Sequence, residues 1–132
     1  MIVDSSALVA ISQGEAGSSS LVDALARAQS VAISAATLLE ARIVVDARRN
    51  PVVSSRFDDL LTSHDIKVLP FTEDQSRIAR QAYRDFGRGS GHPANLNYGD
   101  CFSYALASER REPLLYVGDD FSHTDIRSAL AD

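Results

Sequence analysis

Short apolar runs alternate with longer stretches of helical period along this chain, and that alternation constrains the fold more than any other feature. Met1-Ile2-Val3 reads as a minimal strand ending at Asp4, Val31 to Ser34 as a second, Ile66 to Leu69 as a third and Leu114 to Val117 as a fourth. Helical patterns fill the intervals. They run from Ser5 to Ile11, from a Ser20 cap through Leu21, Val22, Leu25 and Ala28, from Thr37 to about Arg49, and from Val53 to Ser63 after the Asn50-Pro51 turn. A Thr72-capped helix reaches Phe86 with Glu73 and Asp74 in its first turn, Tyr98 to about Arg110 forms another, and Thr124 to Leu130 is expected to be a short terminal helix. Gly87 to Asn97, with Gly87, Gly89, Gly91 and Pro93, is the longest irregular stretch and reads as a mobile loop near Asp100 or as a plain connector. Strands separated by helices need crossover connections, and those produce a parallel sheet covered on both faces. The expected fold class is therefore α/β: three layers, α/β/α, with a central, mainly parallel sheet, in one domain over residues 1–132. In such a sheet ligands bind outside the carboxyl ends of the strands, which is where functional residues are sought.

Two of those strand ends carry acids. Asp4 follows the first strand, and Asp119 and Asp120 follow the last. Glu40 stands in an otherwise nearly neutral helical stretch, and Asp100 lies near the start of the Tyr98 helix. Each has a plain structural explanation: Asp4 as a cap, Asp100 as a dipole partner, Glu40 as a solvated helix position, and Asp119 and Asp120 as turn residues. Together they say more. Carboxylates gathered in one crevice resist ionising unless a cation compensates them, and Mg²⁺ or Mn²⁺ prefers all-oxygen ligands. His64, His92 and His123 show no ligand spacing, so imidazole-bound zinc is not indicated.

Composition narrows the setting. The chain carries 18 acidic and 13 basic residues, a net charge of −5, which is unlike a strongly basic nucleic-acid binder. A metal-holding acidic pocket lowers net charge even in an enzyme acting on a polyanion. The one lysine is Lys67, and the other basic residues are arginines, which suit bidentate phosphate contact. The single cysteine, Cys101, excludes an internal disulfide framework, and with no histidine nearby in sequence it reads as a small buried residue rather than a nucleophile. No apolar run reaches the ~18 residues of a membrane helix, so a cytoplasmic protein with no membrane association is expected.

Several segments, in order, carry a family resemblance. The opening Met1-Ile2-Val3-Asp4-Ser5-Ser6-Ala7, the Glu40 helix, the stretch Leu96-Asn97-Tyr98-Gly99-Asp100-Cys101-Phe102-Ser103-Tyr104-Ala105-Leu106-Ala107 and the ending Pro113-Leu114-Leu115-Tyr116-Val117-Gly118-Asp119-Asp120-Phe121 resemble a PIN-domain ribonuclease. More narrowly they resemble the VapC toxins of bacterial toxin–antitoxin pairs. The resemblance implies a Mg²⁺-dependent endoribonuclease, with Mn²⁺ as the alternative metal. It implies an acidic site of Asp4, Glu40, Asp100 and a fourth acid, Asp120 ahead of Asp119, with Asp4 and Asp100 as metal ligands. It also implies a VapB-like antitoxin whose C-terminal segment blocks that site, a homodimer, and a structured RNA substrate such as transfer or ribosomal RNA.

An acidic pocket repels RNA, so basic side chains are expected around it. Arg77, Arg80, Arg84 and Arg88 follow helical spacing along one face and offer a phosphate path, the alternative being an ordinary solvated face. Arg42, Arg48 and Arg49 near Glu40 offer a similar surface or a partner contact. Ser6 is a further candidate, for a substrate phosphate or a metal water, or as part of the first helix cap. Two rival readings remain at this level: a phosphoacceptor receiver domain, which needs a lysine after its last strand that this chain lacks, and a non-catalytic RNA- or partner-binding module of the same fold.

Overall fold

The computed structural model describes residues 1–130. Strands β1 (Ile2–Val3), β2 (Ala32–Ser34), β3 (Lys67–Leu69) and β4 (Leu114–Leu115) form one sheet in the order β3-β2-β1-β4. Every pairing among them is parallel, with Ile2 opposite both Ala32 and Leu114. Each crossover carries two helices. These are α1 (Ser5–Ser12) and α2 (Ser18–Arg27), then α3 (Ala35–Ala47) and α4 (Pro51–Ser63), then α5 (Glu73–Phe86) and α6 (Tyr98–Arg110). The expected layered α/β architecture is what the chain adopts.

Alternation along the strands divides the core in two. Val3, Ile33 and Leu115 pack against Leu8, Leu25, Val45 and Phe57 from α1, α2, α3 and α4. Ile2, Ala32 and Leu114 face the other way, onto Ala82, Tyr104, Leu106 and Ala107 from α5 and α6. Burying side chains of this size contributes roughly 1.5–3 kcal/mol each, so strands of two or three residues are held by their two faces more than by their ladders. At the outer edge, β3 exposes Lys67 and Val68, and a lysine there discourages a second chain from pairing.

Four local expectations are corrected. Helix α3 starts at Ala35, directly after β2, and α4 starts at Pro51 itself, because the Asn50 side chain caps the Val52 N–H at 3.0 Å and proline suits a first helical position. β4 stops at Leu115, since the Val117 N–H turns to the Ser6 hydroxyl at 3.0 Å. Residues 124–130 are not a helix. A single short turn (Phe121–His123) precedes them, and Leu114 pairs with this segment through the Arg127 carbonyl and the Ala129 N–H, each at 2.9 Å. A seven-residue helix is marginal alone, and the open side of β4 supplies better-paired backbone. The 87–97 stretch is irregular, as expected, and is closed near its ends, where Leu96 is fully buried and its N–H and carbonyl bond Phe86 and Arg88 at 2.9 and 3.0 Å.

Candidate active site

Chain order reverses between β1 and β4, which are neighbours although first and last in sequence. Side chains just past their carboxyl ends therefore share one crevice. Asp4 sits there, only 3% exposed, with its N–H bonded to the Leu115 carbonyl at 2.9 Å. As the N-cap of α1 it accepts the Ser6 N–H at 3.1 Å and the Ser6 hydroxyl at 2.7 Å on Oδ2. Its Oδ1 accepts the hydroxyl of Ser103, from the middle of α6.

Asp100 enters the crevice from the first turn of α6. Asn97 and Asp100 cap each other: Asn97 Oδ1 accepts the Asp100 N–H at 2.8 Å, and Asp100 Oδ2 accepts the Asn97 N–H at 3.0 Å. Burial above all, with the charge of Asp4 and the nearness of Asp120 adding to it, pushes the Asp100 carboxyl up to about 7 against the pull of the Asn97 bond. Asp120 is near enough to contribute to that rise. Asp119 and Asp120 are both exposed, on the turn that follows Gly118, whose φ of +101° suits glycine. Glu40, from α3, accepts the Ser5 hydroxyl at 2.9 Å and lies against Gly99, where a Cβ would overlap its carboxylate. A glycine at that position is thus what lets the α3 acid approach the first turn of α6.

An open cleft of about 910 Å³ leads outward from Glu40 and Gly99. Arg80, Arg84 and Arg88 line it, together with Tyr83, Tyr98 and Phe102. Tyr98 is 79% exposed and stands edge-on to Phe102 at 4.9 Å between ring centroids. The fourth member of the arginine series stands apart from this wall: Arg77 pairs with Glu73 at 3.0 Å and with Asp74 on its own helix. Arg42, Arg48 and Arg49 are exposed and do not line the cleft. Ser6 gives its proton to Asp4 and accepts from Val117, so its hydroxyl joins the cap of α1 to the β4 turn, as the capping alternative expects. Cys101 is buried with its thiol on the Asn97 carbonyl, and burial beside Asp100 raises it to about 11, as an inert thiol requires.

The donors at this crevice are carboxylate oxygens and hydroxyls, and one of the carboxyls is raised by burial and by its acidic neighbours. That chemistry fits a hard divalent cation, which would offset the cost of the buried negative charge. Among the described residues, no three carboxylate, imidazole or thiolate groups form a ready-made cage. Sequence reasoning missed Ser103 and its neighbour Thr37. Ser103 lies three residues after Asp100, one helical turn further along α6, and is the one hydroxyl-bearing aliphatic side chain in an apolar run, a signal that was available.

A family model described as PIN domain matches residues 1–127. Ribonuclease VapC28 of Mycobacterium tuberculosis is 55% identical over 130 residues, 98% of each chain. Ribonuclease VapC42 of the same organism is 52% identical over 129 residues, again 98% of each. Among solved structures, M. tuberculosis VapC20, described as a sarcin–ricin loop cleaving toxin, aligns with a TM-score of 0.73 at 20% identity over 95% of each chain. A toxin–antitoxin complex from Klebsiella pneumoniae aligns with a TM-score of 0.71 at 17% identity over 97% of this chain and 96% of that one. At those identities the two structures bear on the fold.

Proposed function

The chain belongs to the PIN-domain family, and we propose that it is an endoribonuclease of the VapC type, the toxin of a toxin–antitoxin pair, hydrolysing RNA phosphodiester bonds. The observation that carries this reading is the meeting of Asp100, from the first turn of α6, with Asp4 and Asp120 beyond the ends of two adjacent strands, where burial and then the neighbouring acids raise Asp100 to about 7. The family alignment and the high identity to proteins named as ribonucleases support it. It also stands against a non-catalytic module, which would have no use for acids held in such conflict.

Asp4 and Asp100 would hold a divalent cation, Mg²⁺ or Mn²⁺. When bound, that ion supplies charge neutralisation among the carboxylates and stabilisation of the phosphoryl oxygens. Glu40, fixed by Ser5, orients the attacking water from the α3 side, and Asp120 completes the acidic rim. Arg80, Arg84 and Arg88 hold the RNA backbone along the cleft, offsetting the repulsion of the acids. Tyr98 offers a face on which a base from a single-stranded loop stacks. A VapB-like antitoxin and a second copy of the chain are the expected partners. The exposed Leu39, Ile43 and Val44 on α3, beside Tyr98, support an apolar face that a protein covers.

The test is incubation of total cellular RNA with purified, antitoxin-free protein, with Mg²⁺, with Mn²⁺ and with chelator, beside Asp100→Asn. Discrete fragments that need the metal and vanish in the variant are expected. Intact RNA with a preparation that binds metal would turn the reading to the binding module.

A further inference from the structure

Two buried hydroxyls under the acidic crevice have no part in the function described so far. Ser103, on α6, is 1% exposed and Thr37, on α3, is fully buried. A buried serine in a helix ordinarily returns its proton to the carbonyl four residues back, as Ser12 does to Leu8 at 2.8 Å. Ser103 instead reaches across 99 residues of sequence to Asp4 Oδ1. Behind it, Thr37 Oγ1 lies 3.3 Å from Ser103 Oγ.

The direction of this relay follows from counting protons. A hydroxyl has one, and an ionised carboxylate has none to give. The proton between Ser103 and Asp4 therefore belongs to Ser103, and Thr37 must donate to Ser103. Asp4 in turn has roughly four acceptor sites. Ser6 takes two on Oδ2 and Ser103 takes one on Oδ1. One lone pair, on Oδ1, is left.

We propose that Ser103 is a positioning residue for Asp4, held in turn by Thr37, and that this relay fixes the single Asp4 lone pair offered to a divalent cation. The inference rests on the metal reading of the proposed function. Neither hydroxyl touches substrate or cation. Their effect is to stop the carboxylate from rotating about its Cβ–Cγ bond, so that the ion meets a preset ligand rather than one it must order.

Mn²⁺ titration of the antitoxin-free full chain by calorimetry tests this without RNA, with circular dichroism as the check on folding. Ser103→Ala is expected to weaken Mn²⁺ binding by about tenfold or more. Thr37→Val, which keeps shape and loses the donor, is expected to weaken it by about threefold, and Thr37→Ser, which keeps the donor, to bind as the wild type does. In cleavage assays Ser103→Ala should lower kcat and leave KM for RNA unchanged. Wild-type Mn²⁺ affinity in folded Ser103→Ala, or equal losses in Thr37→Val and Thr37→Ser, overturns the inference alone. The two Thr37 variants decide the matter if Ser103→Ala does not fold. A wild-type chain that takes up no Mn²⁺ overturns the metal reading and this inference with it.

Discussion

The carboxyl ends of β1 and β4 lie side by side, and both deliver acids to the same crevice, yet they are built in opposite ways. Asp4 is buried, caps α1 and accepts three hydrogen bonds from Ser6 and Ser103. Asp120 is exposed, on a turn whose second residue after β4, Val117, is already bonded to Ser6 rather than to the sheet. One acid is part of the fold's own hydrogen bonding, while the other is attached to it by a short tether. A site made this way combines a fixed reference point with a ligand free to adjust, and the two ends should respond differently to the same substitution.

The largest contrast is in stability. Asp4→Ala removes an N-cap, worth roughly 1 kcal/mol, and leaves the Ser103 hydroxyl buried without an acceptor, for roughly 1–3 kcal/mol more. Thermal unfolding should show a fall in Tm on the order of 10 °C. Asp120→Ala should change stability by less than about 0.5 kcal/mol. Equal losses at the two positions would dissolve the comparison.

Activity sharpens it next. Asp120→Asn is expected to lower kcat by about 10–100-fold with Tm unchanged, while Asp119→Asn stays within about twofold of the wild type. The reverse order in a cleavage assay would transfer the role to Asp119.

The pH dependence of stability separates Asp100 from both. Its carboxyl goes from 3.8 in the open chain to about 7 in the folded one. Between those values the folded state holds more protons than the unfolded state, so this residue's contribution to stability falls as pH rises from about 4 to about 7 and is level above that. Asp100→Asn keeps an acceptor for the Asn97 N–H and lacks the ionisation. In chelator, its Tm should match the wild type near pH 4 and exceed it above pH 7. A difference that does not vary with pH would show that Asp100 is not raised.

The smallest expected effect lies furthest from the two strand ends. Arg84→Ala should raise KM about threefold with kcat preserved, and should flatten the salt dependence of RNA binding by about one phosphate contact. Arg77→Ala, whose guanidinium is engaged by Glu73 and Asp74, should change neither.

How much of this could be read from the chain depends on how local the cause is. Parallel strands follow from the spacing of apolar runs, and Asp4, Asp100 and the acids after β4 follow from strand ends and a helix start. Glu40 was legible only as an unexplained charge in a neutral stretch, because Gly99, which admits it, lies 59 positions away. The Ser103–Asp4 bond is equally non-local, and no local rule separates Asp119 from Asp120, both exposed on the turn after Gly118. The terminal segment was misread for the same reason: its helical pattern is real, but Leu114 had an unpaired side that no local rule reports.

The reciprocal cap at the start of α6 has a consequence for how the site comes into being. The same four residues, Asn97 to Asp100, both begin the helix and set the direction of an acid. The aim of Asp100 is therefore inherited from one turn of chain closing on itself, an event of short range and early onset. Peeling away residues 124–130 should leave that aim intact, because no bond of the cap reaches them.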